Sequence, residues 1–386
     1  MALKDYIKTY LPLRDKISLK PELNGVNLLF IVASLILIGV YLYGVVGFLL
    51  HGHHAYNVSR EHPWGFLVSA YEFFVALSMG TIAIAASAVF FDIKALKPIV
   101  KRALIFGLLA LMAGFAVFLF EIGHPITMII YTALSGHPTS ALFWLGVFYP
   151  LTMLFTFLTF IFYSAGKNAK IFAMLTLIFA NSSILTAGSI FGLLNNNPFA
   201  SGVFYPIEFL LSGILGGIFL FAIIAKFFIK DDSFKEGVLY LKEATIVIAS
   251  LLLIMYLIKF LTAIYGNMPG KIEVVETIFY SPRFWLFELT FGIIIPLVVA
   301  IWGRKDQIGM FCMASVLGLI GLMAARINVV EAVQVVPKQL MKIREYQLPP
   351  SITHYSPSLV EWSIGIGAIG IFMALLFLAE RTLKLD

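Results

Sequence analysis

Between Val26 and Leu50 the chain runs without a single Asp, Glu, Lys or Arg. A run of that length crosses the ~30 Å hydrocarbon core of a bilayer as one helix. It does not stand alone. Apolar runs bounded by charges and turn residues recur at 64–90, 103–120, 141–165, 171–194, 207–229, 238–265, 284–303, 309–325 and 360–380. The pattern predicts an all-α membrane protein with ten transmembrane helices in the lipid bilayer. Composition agrees, with 60% hydrophobic and 12% charged residues, about half the charge of an ordinary soluble domain. Soluble, disordered, collagenous and nucleic-acid-binding classes are excluded. The basic residues of segment 1–25 are followed by no small-residue cleavage site, so this stretch is expected to be retained as an N-terminal cytoplasmic segment.

An even number of spans puts both termini on one side, so the loops sort into two sets. Nineteen of the 27 Lys and Arg fall on the terminal side, seven on the opposite side, and Lys259 lies within a span. By the positive-inside rule both termini are cytoplasmic, in a cell inner membrane, and the 51–63, 121–140, 195–206, 266–283 and 326–359 loops face outward.

The spans also repeat. Glu72-Phe73 with Gly80 in span 2 matches Glu208-Phe209 with Gly216 in span 6, and Ser140-x-x-Phe143-Trp144-Leu145 matches Ser281-x-x-Phe284-Trp285-Leu286 at spans 4 and 8. Phe172-x-Met174 and Phe311-x-Met313 add a weaker match at spans 5 and 9. Spans 2–5 and 6–9 therefore read as two four-helix bundles in parallel repeat. The expected units are 26–63 (helix 1 and an outward loop), 64–194 (first bundle), 195–325 (second bundle) and 326–386 (a long outward loop and helix 10).

Ionisable groups inside a span cost roughly 2.5–3.5 kcal/mol each at the centre on insertion scales, so each needs a partner or a use. Glu72, Glu121, Glu208, Lys259, Glu288 and Arg326 all fall toward the outward ends of their helices, and all seven histidines fall on the outward side. With no histidine in a helix core, a haem held between facing helices is disfavoured. The lone Cys312 forbids an iron–sulfur cluster, a c-type haem attachment or a thiolate metal site built by this chain alone. His51-x-His53-His54 is weak evidence for a metal, and no metal site is assigned. Redox groups, if electrons are handled, belong to a partner or to a lipid-soluble quinone, which needs an apolar slot, hydrogen-bond donors and a group that moves protons.

Phe120-Glu121-Ile122-Gly123-His124-Pro125 puts a carboxylate and an imidazole three residues apart where Pro125 stops the helix. Interfacial polarity without function is the competing account of that pair. For Glu72 the competing account is an ion pair with Lys259 or Arg326, and for Glu208 a solvated or partnered carboxylate near the surface. The outward tryptophans fit an aromatic belt.

The stretch Ser59-Arg60-Glu61-His62-Pro63-Trp64-Gly65-Phe66, followed by Ala70-Tyr71-Glu72-Phe73-Phe74-Val75, resembles the second-helix signature of the polysulfide reductase/NrfD membrane-subunit family. Glu121-x-Gly-His124-Pro125 does so at the end of the third helix. The outward loop from Arg326-Ile327-Asn328-Val329-Val330 to Tyr355-Ser356-Pro357-Ser358-Leu359-Val360-Glu361 resembles the ten-helix, hydrogenase-associated branch. The resemblance implies a haem-free subunit exchanging electrons between a quinone, of menaquinone type, and an iron–sulfur subunit on the outward face. A catalytic subunit lies beyond it: a molybdopterin reductase, a hydrogenase or a multihaem nitrite-reductase cytochrome. Carried onto matching positions, Glu72, Glu121 and His124 are the implied proton-handling residues, and Trp64, Tyr71, Arg326 and Asn328 the implied quinone contacts. A proton path to the cytoplasm has no residue-by-residue match.

Two other classes stay open. A secondary transporter also suits parallel repeats with internal carboxylates, but its usual paired helix breaks are missing, since Pro150 and Pro296 do not align between the bundles. A pure membrane anchor leaves the outward clustering of ionisable groups unexplained.

Overall fold

Backbone amides and carbonyls find no partner in hydrocarbon, so apolar runs of this length close their hydrogen bonds internally as helices. The computed structural model describes residues 25–59, 62–195, 197–229, 234–266, 270–303, 308–335 and 355–385. The helices are α1 (Gly25–His51), α2 (Phe66–Phe90), α3 (Lys97–Glu121), α4 (Pro125–Ser135), α5 (Ala141–Ser164), α6 (Lys170–Gly192), α7 (Phe204–Phe228), α8 (Lys235–Tyr265), α9 (Ile272–Phe279), α10 (Arg283–Trp302), α11 (Ile308–Ala332) and α12 (Leu359–Thr382). All but α4 and α9 are long and apolar enough to cross a membrane, which makes ten candidate spans among the described residues. The two short helices follow the third and seventh spans, on the face opposite the start of α1 and the end of α12, here called the distal face.

Local signals set the helix ends. Pro125 occupies the first turn of α4, where its missing N–H costs nothing, and Gly136 closes that helix at φ 55°. Ser358 and Glu361 form a reciprocal capping box at the start of α12. The distal part of α10, Arg283–Ile294, is wound as a wide π-type helix, and Thr290 Oγ1 donates to the Trp285 carbonyl five residues back at 2.7 Å.

The centre of the molecule is α2, 83% of whose spanning stretch is buried, against 17% for α1. It packs on α3, α6, α7 and α11, while α1 and α12 pair with each other and α12 leans on α3. α2 and α7 cross with glycine on both sides: a Cβ at Gly80 would lie 1.8 Å from the Gly213 carbonyl oxygen, and one at Gly217 would lie 2.5 Å from the Gly80 carbonyl carbon. Such close backbone approach is how helices gain packing in a solvent as apolar as their side chains. α5 and α6 are held by buried hydroxyls, Thr152 with Ser183 at 3.2 Å and Thr159 with Thr176 at 3.0 Å. The two Ser-x-x-Phe-Trp-Leu copies make one bond in common. Trp144 Nε1 donates to the Pro138 carbonyl at 2.8 Å, and Trp285 Nε1 to the Phe279 carbonyl at 2.9 Å.

Several expected boundaries are corrected. The ninth span runs on to Ala332 and does not stop at 325, because Arg326 is neutralised inside the protein and therefore does not end the helix. The third span begins at Lys97 and not at 103, with Arg102 inside it bonded to Glu380 at 2.8 Å. The 121–140 and 266–283 stretches hold α4 and α9 and are not plain loops. Residues 1–24, Arg60 and Glu61, Arg304 and Lys305, and the 336–354 part of the expected outward loop lie outside the described residues.

Candidate functional site

At 1.5 Å per residue, Tyr71, Glu72, Tyr149, Glu208, Ser212, Tyr256, Lys259, Arg326 and Asn328 lie about 6–14 Å below the distal ends of their helices. Three clusters make up this layer, and a fourth lies at the start of α2.

The first is on α2. The Tyr71 hydroxyl donates to the Tyr149 hydroxyl of α5 at 3.0 Å, and the Tyr71 ring stacks on Phe118 with centroids 4.2 Å apart at 18°. Beside it Glu72 is 2% exposed, and its Oε2 is buried with no hydrogen-bond partner among the described residues. Neither expected ion pair forms at Glu72. Arg326 is committed to Glu208, and Lys259 donates to the Phe199 carbonyl. Trp64 anchors the approach to α2 through its backbone, with its N–H donating to Gln334 Oε1 and its carbonyl accepting from Gln334 Nε2, both at 2.9 Å. Its indole meets Phe191 edge-on.

The second cluster joins α11 to α7. Arg326 is fully buried and donates to Glu208 Oε2 at 2.8 Å and to Ser212 Oγ, with its guanidinium 3.8 Å from the centroid of Phe209. Glu208, expected near the surface, is 1% exposed, and its Oε1 has no hydrogen-bond partner among the described residues. Arg326 lies within electrostatic reach of Glu72.

The third cluster holds Asn328. Its Oδ1 accepts from Arg283 Nε at 2.6 Å, and its Nδ2 donates to Glu288 Oε2. The other Glu288 oxygen accepts from the Tyr256 hydroxyl at 2.6 Å, while Arg283 grips Glu331 with two nitrogens. Lys259 sits 4.5, 4.8 and 5.3 Å from the ring centroids of Phe199, Phe204 and Tyr205. Lys259, Glu288 and Asn328 line a cavity of about 330 Å³, its mouth included, between α7, α8, α10 and α11. A smaller cavity of about 200 Å³ lies between α2, α7 and α11 against Arg326 and Ser212.

The fourth is a fastening over the start of α2. Glu361 Oε2 accepts from the Asn57 and Ser358 amides at 3.0 and 2.9 Å. Tyr355 donates to Glu361 Oε1 and accepts from the Phe66 amide at 2.6 Å. Burial, then the Glu361 carboxylate beside it, push the Tyr355 phenol well above its ordinary value.

Glu121 and His124 make no side-chain hydrogen bond to these clusters, and Glu121 lies near Glu361 of the fourth. Glu121 is the last residue of α3, with its Oε2 buried and unpartnered among the described residues and its carbonyl accepting from His53 Nε2 at 2.9 Å. His124 is exposed just before α4 and does not bond that oxygen. Among the described residues no three His, Cys, Asp or Glu side chains are grouped to hold a metal ion.

The family described as polysulphide reductase, NrfD, matches residues 54–338. The chain belongs to this family. As an NrfD-family protein it is 26% identical to a selenate reductase subunit of Mesobacillus selenatarsenatis, over 81% of this chain and 83% of that one. It is 22% identical to the Hdr-like menaquinol oxidoreductase integral membrane subunit of Archaeoglobus fulgidus, over 91% of this chain and 92% of that one.

Of the residues expected at the site of this NrfD-family chain, Tyr71 and Glu72 adjoin within α2. Arg326 and Asn328 serve the two networks of α11, Trp64 ties α2 to the end of α11, and Glu121 and His124 lie at the distal edge. Sequence reasoning missed Tyr149, Ser212, Tyr205, Tyr256 and Gln334. Uncharged polar residues in a span carry no insertion penalty large enough to stand out, and only packing shows which face one another.

Proposed function

We propose that this chain is the quinone-exchanging membrane subunit of a respiratory oxidoreductase complex. In this reading both termini are cytoplasmic, the distal face is outward, and an iron–sulfur subunit docks there with a catalytic subunit beyond it. The observation that carries the proposal is Glu72 Oε2, a buried carboxylate oxygen with no hydrogen-bond partner among the described residues, beside the Tyr71–Tyr149 hydroxyl pair. A buried polar atom left unmatched by the protein calls for an explanation, and a catalytic or redox role is among those that account for such atoms. The family match supports the class, and the menaquinol named for the archaeal relative supports a naphthoquinone.

When bound, a quinone supplies coupled two-electron, two-proton chemistry. In this reading the chain's own residues do the rest. Tyr71, backed by Tyr149, offers a hydroxyl donor held in place by the stack on Phe118. Glu72 holds a proton on Oε2 away from bulk water and exchanges it as electrons come and go. Glu121 and His124 carry protons between that depth and the distal surface. Arg326, fixed by Glu208 and Ser212, sets the positive potential that Glu72 senses, and Asn328 fixes Arg283 and Glu288 behind it. Trp64 shapes the entrance through its bonds to Gln334.

The test is quinol-coupled electron transfer in the assembled complex carrying Glu72→Gln, His124→Ala or Tyr149→Phe. Glu72→Gln and His124→Ala are expected to cut turnover by about 10²–10⁴, the cost of losing an acid–base group. Tyr149→Phe, which keeps the ring, is expected to raise the quinol KM. Unchanged turnover in all three assembled variants would return these residues to a structural role and put the transporter reading first.

A further inference from the structure

From Ile122 to Ser140 the chain has no Asp, Glu, Lys or Arg, and α4 lies within this stretch between the ends of α3 and α5. On the side that packs against α5, Met128 and Thr132 stand one turn apart and are half-buried. Elsewhere on the helix Ile126, Ile130 and Leu134 follow one another at i, i+4 and i+8, flanked by Thr127 and Tyr131, and all five are exposed. Ile126 and Leu134 reach 73% and 75% exposure. A surface helix in water turns such a stripe inward and its polar residues outward. α4 does the opposite.

α9 is the internal comparison. Like α4 it precedes a Ser-x-x-Phe-Trp-Leu motif whose tryptophan donates to a carbonyl six residues back. Its exposed residues are Glu273, Glu276 and Thr277, and its buried ones are Val274 and Val275. One connecting helix is therefore built for water and the other for an apolar surrounding.

The depth of α4 decides what that surrounding is. A Cβ on Gly146 would lie 3.1 Å from Thr132 Cγ2, so α4 rests against the flank of α5 and not on its end. Gly146 stands five residues beyond Ala141, the first of α5, which puts Thr132 about 7.5 Å below the distal end of that span at ~1.5 Å per residue. Interfacial amphipathic helices sink their apolar faces ~5–10 Å into the headgroup–acyl boundary. An extramembrane protein meets residues at or above the span ends, whereas lipid surrounds a helix at this level. The chain continues from α4 into exposed Leu142 and Trp144, apolar and aromatic side chains of the kind found at a membrane interface.

We propose that α4 is an interfacial helix whose Ile126, Ile130 and Leu134 face is seated in the phospholipid of the distal leaflet. It anchors the α3–α5 connection at the headgroup–acyl boundary and leaves extramembrane docking to the rest of the distal face, polar α9 included. This seating uses none of the residues assigned above to the quinone.

Ile126→Cys, Ile130→Cys and Leu134→Cys on α4, Glu276→Cys on α9 and Leu251→Cys at an exposed position midway along α8, each combined with Cys312→Ala and carrying a nitroxide, test this in the assembled complex in phosphatidylcholine liposomes. Each label is compared for collisions with oxygen, which concentrates among acyl chains, and with a water-soluble nickel chelate. The α4 labels are expected to meet oxygen more often than the chelate, as the Leu251 label does, and the Glu276 label to show the reverse ratio. α4 labels that favour the chelate as the Glu276 label does would show a face in water and overturn the lipid. Labels shielded from both reagents would overturn it as well, in favour of a protein cover, whether a partner subunit or another segment of this chain. If one labelled variant fails to assemble, Thr127→Cys on the same exposed side repeats the measurement.

Discussion

The Arg326–Glu208 pair makes an asymmetric prediction. Opposite charges 2.8 Å apart attract by about 6 kcal/mol at an effective dielectric of 20, and desolvation of both groups offsets much of this. Removing one partner is a different matter, because it strands the other, at a typical cost of ~3–5 kcal/mol. The two partners are not equivalent when stranded. A carboxylate can take a proton, whereas a guanidinium stays charged. Glu208→Gln should therefore destabilise by the full ~3–5 kcal/mol. Arg326→Met should cost clearly less, since Glu208 can neutralise itself and Met can keep the contact with the Phe209 ring. The double variant should be more stable than the sum of the two losses allows, by at least ~2 kcal/mol of coupling. Reversible unfolding in mixed micelles against SDS mole fraction, followed by tryptophan fluorescence, measures all four corners of the cycle. Losses that add to within about 0.5 kcal/mol, or an Arg326→Met loss as large as that of Glu208→Gln, would refute the argument.

Gly80→Leu should abolish folded yield, since even a Cβ meets the Gly213 carbonyl at 1.8 Å; detergent-extracted protein that runs as a single species in size exclusion would show that α2 and α7 can separate. Glu361→Gln leaves one oxygen where Glu361 now accepts from Tyr355, Asn57 and Ser358. It should cost about 1.5–3 kcal/mol, the range for hydrogen bonds to charged groups, and speed protease cleavage near Asn57. A cleavage rate matching the unmodified protein would mean that the fastening holds nothing in place. Reporter fusions give the orientation: one after Asp386 should be active only in the cytoplasm and one near Ser356 only outside, and like-sided activity would break the ten-span count.

The number of spans and the all-helical class were legible in the sequence, because a backbone in hydrocarbon has no alternative to internal hydrogen bonds. The family was also legible, from short motifs at Trp64–Phe66, Tyr71-Glu72 and Glu121-x-Gly-His124 in the right order. Intramembrane charge marked Glu72, Glu208, Lys259, Glu288 and Arg326 as residues needing an explanation, since each is costly wherever it sits. Which charge meets which was decided only by the tertiary structure. Arg326 read as the start of a loop because an unpaired arginine ends a span, and it became helix interior because α7 brings Glu208 and Ser212 to its guanidinium. The same packing gives Glu208 a cation and leaves Glu72 Oε2 without a partner among the described residues, although both carboxylates open a Glu-Phe pair followed by a glycine at the same spacing. Hydropathy runs along one helix at a time, whereas pairing, cavities and unmatched atoms such as Glu72 Oε2 arise where helices distant in sequence share a face.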